Sequence, residues 1–348
     1  MQLISSLLLV FATAFVATGL WLTIARSRNW FDHPNHRSSH VIPTPKSGGA
    51  GFVIAFTGYV TALYVGDVLT VQQLTFAGLA LVLAGIGFID DLRPLGIVQR
   101  IGTQVLTAAA ALLLFDPVPP LVFPWGTLES EWLRIALLLP GFVWLINLYN
   151  FMDGIDGLAA TEAIFVCLAL ALFASFDAAS LVTMLSLGLA LAVSGFLFFN
   201  LPPAKLFMGD LGSNYLGFML AIVGGLAMQD TSINVWTLLV LLGVFIVDAT
   251  ATLIGRMRAG LVWYHAHRSH AYQQAALRMG SHGVVVAAVA LINLCWLLPL
   301  AWLTTRYEQW GMLLVFVAWA PLHFLGRAWR RVPQGLAQGS AESSTQVQ

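Results

Sequence analysis

The chain has 348 residues, 59% of them hydrophobic and 9% charged, with a mean hydropathy of +0.83. A soluble domain of that composition could not cover itself with polar surface, so the solvent is lipid. Sixteen Lys and Arg balance sixteen Asp and Glu, which excludes a bulk charge aimed at nucleic acid.

The expected fold class is an all-α integral membrane protein. A spanning helix needs about 20 mainly apolar residues, and eleven windows qualify: 2–25, 48–66, 73–90, 99–116, 131–149, 157–175, 180–199, 212–228, 234–254, 284–303 and 310–327. The fourth, eighth and ninth are interrupted by Gly or polar residues or have such flanks. The first is too long for a signal-peptide core and lacks a basic leader, so it reads as a membrane helix. These windows make one polytopic domain over 1–330, followed by a Ser/Gln/Gly-rich tail over 331–348 that is expected to be disordered. Cys167 and Cys295 stand alone in apolar stretches and read as packing residues.

The connections fall into two sets. The odd ones and the helix ends beside them carry fourteen of the sixteen basic residues; only Arg134 and Arg306 lie on the other side. The positive-inside rule then puts the odd connections and the C-terminus in the cytoplasm and the N-terminus outside.

The odd connections also carry five polar clusters. The first runs from Asp32 through Arg37 and His40 to Lys46-Ser47-Gly48-Gly49. Its cations, hydroxyls and glycines before a helix suit an oxyanion site, or equally a basic loop that sets topology. The second is the pair Asp90-Asp91, costly beside a bilayer unless a cation or partner compensates. In the third, Asn147, Asn150, Asp153 and Asp156 recur every three residues, and a helical path would align them on one face. The fourth holds Phe207 and then Asp210 between two glycines, a plausible single carboxylate for magnesium or a helix cap. The fifth, His265-Ala-His267-Arg268-Ser-His270, suits a diphosphate clasp better than a zinc site, since no Cys or Glu accompanies it. Asp248 lies inside the ninth window, where a carboxylate is a functional candidate or pairs with Arg256 or a helix end.

Taken in order, Asp-x-Pro-Asn-x-Arg-Ser-Ser-His (32–40), Pro-Thr-Pro-Lys-x-Gly-Gly (43–49), Asp-Asp (90–91), Asn-x-x-Asn-Phe-Met-Asp-Gly-Ile-Asp-Gly (147–157), Gly-Asp-x-Gly-Ser (209–213) and His-x-His-Arg-Ser-His (265–270) resemble the polyprenyl-phosphate sugar-1-phosphate transferases. The resemblance implies transfer of a sugar-1-phosphate from a UDP-sugar to undecaprenyl phosphate at the inner face of the bacterial cytoplasmic membrane. UMP leaves, and magnesium, with manganese as a substitute, is the cofactor. The partners are then both substrates and the bilayer, with no nucleic acid and with a homodimer left open.

Carried over by motif, Asp210 is the principal metal ligand, with Asp91 and Asp153 beside it. Asp90 is a candidate base, and His265, His267 and His270 join Asp90, Asp91 and Asp153 in the catalytic set. Arg37, His40, Lys46, Asn147, Asn150, Asp156, Phe207 and Arg268 would hold substrate, Phe207 by stacking on uracil. The histidine motif departs from the consecutive histidines of the peptidoglycan translocase and from the His-Ile-His of the common-antigen initiator. It looks most like the pseudomonad-type O-antigen initiators, which implies a UDP-N-acetylated 6-deoxyhexose such as UDP-FucNAc or UDP-QuiNAc.

Overall fold

A computed structural model describes residues 2–34, 42–261 and 267–330. Arg37, His40, His265 and the tail over 331–348 lie outside these. All eleven apolar windows form helices. In chain order the helices are α1 (Gln2–Ser27), α2 (Ala50–Val65), α3 (Val71–Leu92), α4 (Ile97–Leu114), α5 (Glu131–Met152), α6 (Leu158–Phe176), α7 (Ser180–Asn200), α8 (Gly209–Asp230), α9 (Val235–Leu241), α10 (Gly243–Arg258), α11 (Ala271–Met279), α12 (His282–Ile292), α13 (Leu298–Arg306) and α14 (Gly311–Arg330). A π-turn at Asn293–Leu297 joins α12 to α13 as one apolar stretch. Among the described residues nine helices are long and apolar enough to cross a membrane, and α2 at 16 residues is shorter.

Two elements differ from the sequence expectation. The ninth window is not straight: α9 and α10 meet at a 77° bend and make a tenth span only if taken together. The long connection after it contains α11, opened by His270 in an extended conformation and closed by Gly280 at φ 63°. Gly280 sits in the left-handed conformation that commonly ends a helix. Apolar periodicity hides both features, because α11 is short and polar and the bend falls between residues that are equally apolar on either side.

The bundle is built around α8, whose membrane window is wholly buried. That explains its glycines and Asn214, which made it look weak as a lipid-facing span: inside a membrane bundle small residues allow close helix approach and polar ones bond across helices. At Gly49 and Gly212 the backbones of α2 and α8 cross so closely that a Cβ on either would collide with the other chain. Polar pairs tie further helices together: Asn147 Nδ2 donates to Gln104 Oε1 at 2.7 Å, and Asn293 Nδ2 to Glu162 Oε2 at 2.5 Å.

Two short strands, β1 (Phe31–Asp32) and β2 (Thr44–Pro45), pair antiparallel. The strap they make delivers Lys46 and Ser47 to the start of α8, where Gly48 N–H donates to Phe207 O and Gly49 N–H to Met208 O. A second hairpin, β3 (Val122–Phe123) with β4 (Gly126–Thr127), lies in the Pro-rich connection between α4 and α5.

Candidate active site

The first four free N–H groups of a helix need acceptors, and a carboxylate at that end also answers the helix dipole. Asp91, at the end of α3, fills this need for α8. Its Oδ1 accepts from Asp210 N–H at 3.0 Å, and its Oδ2 from Leu211 N–H at 3.3 Å and Ser47 Oγ–H at 2.7 Å. Lys46 lies near enough for its charge to act on the same carboxylate. Gly209 makes the approach work: it has φ +77°, and a Cβ there would sit 2.5 Å from Asp91 Oδ2.

Asp210 is thereby held at the mouth of the bundle. Asn150 Nδ2 donates to its Oδ1 at 2.6 Å and reaches Ser213 Oγ at 3.2 Å. The Asp90 carboxyl is within hydrogen-bonding reach of Asp210. Asp90 is itself engaged, accepting from Leu95 N–H at 2.6 Å and from Arg100 Nη1 at 3.0 Å. Asp153, the residue that ends α5, completes the acidic group. Burial pushes its carboxyl well above the usual carboxylate range, and the charges of Asp210, Asp91 and Asp156 push it further. Among the described residues no group hydrogen-bonds the Asp153 carboxylate.

Carboxylates driven together in this way fit a hard cation. No three acidic, His or Cys side chains among the described residues enclose a metal by themselves. Magnesium needs no such enclosure, because it keeps several waters and takes one or two carboxylates together with substrate phosphates. Asp210 and Asp153 have oxygens to offer. Asp91, expected among the metal residues, accepts three hydrogen bonds from the start of α8 and from Ser47, so it serves as a brace whatever its part at a metal.

Other expected residues have moved apart. Asn147, Asn150 and Asp153 do not share one working face: Asn147 turns into the bundle toward Gln104 and the Val143 carbonyl, leaving only Asn150 to meet Asp210. The reason is the 100° step of a helix, which over three residues rotates Asn147 onto the neighbouring α4. Asp156 likewise braces structure, its Oδ2 accepting from Ala204 N–H at 3.0 Å with His282 Nδ1 3.2 Å away. Phe207 is half-buried beside the strap, its N–H bonded to Pro45 O.

The histidine arm docks through α11. Its two initial N–H groups, those of Ala271 and Tyr272, donate to Asp248 Oδ1 and Oδ2 at 2.8 and 3.0 Å. Arg330 Nη2 stands 3.5 Å from the same acid. Tyr272 Oη–H donates to Phe151 O at 2.9 Å, which brings the arm against the residues that lead into Asp153. The rings of His267 and His270 stack 5.0 Å apart. Burial, then His270 and Arg256, lowers His267 to about 4, and burial also lowers His270, so both rings are neutral N–H donors near pH 7. Arg268 is exposed beside them.

Four residues that position this site escaped the sequence analysis as site residues: Arg100, Ser47, Tyr272 and Arg330. Arg100 had a signal, a lone cation early in a membrane helix and ten residues beyond Asp90. For Arg330, eighty-two residues beyond its partner Asp248, there was none.

Fold and site together define a multi-pass membrane protein with an acidic site at one end of its bundle. The chain belongs to glycosyl transferase family 4, whose description matches residues 73–229. It is 28% identical over 289 residues to the probable undecaprenyl-phosphate N-acetylglucosaminyl 1-phosphate transferase of Bacillus subtilis (strain 168), covering 81% of this chain and 79% of that one. It is 30% identical over 309 residues to the decaprenyl-phosphate N-acetylglucosaminephosphotransferase of Mycobacterium tuberculosis (strain ATCC 25618 / H37Rv), covering 80% and 76%. With the phospho-N-acetylmuramoyl-pentapeptide-transferase of Lacticaseibacillus paracasei it shares 34% identity over 231 residues, covering 61% and 68%.

Proposed function

We propose that this transferase moves a sugar-1-phosphate from a UDP-linked N-acetylated amino sugar to undecaprenyl phosphate, releasing UMP, at the cytoplasmic face of a bacterial inner membrane. The observation that carries this is the convergence of Asp153 and Asp210 at the bundle mouth beside a strap with Lys46 and an arm of neutral histidines. An oxygen of the lipid phosphate forms a bond to the sugar-side phosphorus, and the bond from that phosphorus to the UMP oxygen breaks. Both reactants are anions, so the protein must neutralise and align them.

Asp210 and Asp153 would hold a magnesium ion, which when bound supplies Lewis-acid charge to the diphosphate. Asn150 orients Asp210, Asp91 fixes the start of α8 beneath it, and Lys46, His267, His270 and Arg268 donate to phosphate oxygens. Phe207 offers a face to uracil. Asp90 is already ion-paired with Arg100, and a phosphate monoester with a second pKa near 6 is largely dianionic at neutral pH. We therefore read Asp90 as a positioning group, which needs no proton from the acceptor.

The finer reading, from the histidine motif, is a 6-deoxy sugar such as FucNAc or QuiNAc in the initiation of an O-antigen. The test is UMP release by the purified protein given undecaprenyl phosphate, magnesium and a panel of UDP-GlcNAc, UDP-FucNAc, UDP-QuiNAc and UDP-MurNAc-pentapeptide. Absence of UMP with every sugar from a folded protein refutes the transfer. Preference for UDP-GlcNAc refutes the finer reading alone.

A further inference from the structure

Behind the histidine arm, on a part of α10 that α5 does not wall, lies a cavity of about 240 Å³ between α10, α11, α12 and α14. Its walls are apolar, among them Val247, Ala275, Val289 and Leu322, while one end carries Asp248, Trp329 and Arg330. The space suits a stretch of hydrocarbon chain, and three of its four walls are helices of the membrane bundle.

The polar end sets Arg330 Nη2 3.5 Å from Asp248. Among the described residues Arg330 Nε and Nη2 have no hydrogen-bond partner, and the nearest acid, Asp248, is already occupied by the Ala271 and Tyr272 N–H groups. From residue 249 to 330 the sequence holds seven arginines, of which all but Arg306 lie on this side (Arg256, Arg258, Arg268, Arg278, Arg327 and Arg330), against a single acid, Glu308. Glu308 belongs to the opposite end of α14. Ala271 and Tyr272 stand between this cavity and Phe151, so a phosphate at Arg330 would not be the one that reacts beside Asp153 and Asp210.

We propose that this cleft binds one anionic phospholipid of the surrounding leaflet, with an acyl chain between α10, α12 and α14 and its phosphate on Arg330. The guanidinium turns from Asp248 toward the phosphate, and the lipid thereby bears on the acid that holds the histidine arm. Clusters of Arg beside a membrane helix favour anionic headgroups in this way.

The full-length protein in neutral detergent would be titrated with dioleoyl phosphatidylglycerol, dioleoyl phosphatidylcholine, farnesyl phosphate or inorganic phosphate, reading the thermal midpoint and the lipid retained in native mass spectrometry. The expected result is one retained phosphatidylglycerol, with an apparent affinity at least roughly tenfold above phosphatidylcholine, about 1.4 kcal/mol. Ala288→Trp, at an exposed position on the cavity rim, should abolish retention, and Arg330→Gln should remove the preference while leaving the chain bound. Equal affinity for the two phospholipids overturns the proposal, as does undiminished retention in Ala288→Trp. So does a full response to inorganic phosphate, or displacement of phosphatidylglycerol by farnesyl phosphate, which would assign the cleft to the acceptor. None of these readouts depends on turnover.

Discussion

Removing the Asp248 carboxylate should undock the histidine arm. Asp248 is buried, accepts two backbone N–H groups at the start of α11 and the Thr252 hydroxyl, and faces Arg330 at 3.5 Å. Asp248→Ala leaves the two backbone N–H donors without an acceptor, at about 1–3 kcal/mol each if they stay buried, while the Thr252 hydroxyl can rotate to another acceptor. It also strands a largely buried guanidinium, and breaking such a pair costs about 3–5 kcal/mol. These costs overlap, because α11 can lift away and rehydrate its N–H groups. The expected loss is therefore about 3–5 kcal/mol at most, with a smaller loss when α11 undocks. Undocking withdraws the Tyr272 hydroxyl from Phe151 O and the stacked histidines from the site, so UMP release should fall at least tenfold even in protein that remains folded. Asp248→Asn keeps one acceptor oxygen and should lie between. Thermal unfolding in detergent, followed by intrinsic fluorescence, gives the stability change, and UMP release gives the activity. Asp248→Ala with an unchanged midpoint and unchanged turnover would refute the docking argument.

Magnesium should raise the thermal midpoint of the wild type, because it relieves the repulsion that Asp210 and Asp91 exert on Asp153. Asp210→Asn should lose that response, together with turnover; a full magnesium response in the variant removes Asp210 from the metal site. Gly209→Ala should destabilise the protein, since the alanine would be strained at φ +77° and press on Asp91 Oδ2, and an unaltered midpoint would contradict the close packing of α3 on α8. Cys295→Ala, at an exposed position, should leave both stability and turnover intact, whereas Cys167→Ala, fully buried, should cost about 1 kcal/mol without loss of turnover. For pH, His267 is depressed to about 4 from 6.5 in the folded protein. The unfolded chain therefore binds the extra proton between those values, and His267's contribution to stability is present above about 6.5 and lost as pH falls toward 4. His267→Gln should flatten the midpoint-against-pH curve over that window, and an unchanged slope would show that the ring is already protonated or fully solvated.

Much of the fold was legible because a bilayer imposes a one-dimensional rule: each span must be long and apolar, and all eleven apolar windows became helices. The 77° bend between α9 and α10 and the short α11 escaped that rule, because hydropathy registers length and polarity but not direction. The site was legible in kind, as carboxylates, amides, glycines and histidines on alternate connections. The pairing of those residues was not. Asp90 and Asp91 are adjacent in sequence, yet one meets Arg100 and the other caps the start of α8, because successive helix residues point about 100° apart. The recurrence of Asn147 and Asn150 likewise suggested one face, whereas packing against α4 took Asn147 for Gln104.

What the sequence by itself determined is a membrane bundle with its acidic, amide and histidine clusters gathered on one set of connections, since composition and local spacing act within a few residues. Which carboxylates are spent on helix starts and which keep oxygens uncommitted was decided only by tertiary structure. A backbone N–H at the start of a buried helix needs an acceptor wherever the fold brings one, and here Asp91 and Asp248 supply it from 119 and 23 residues away.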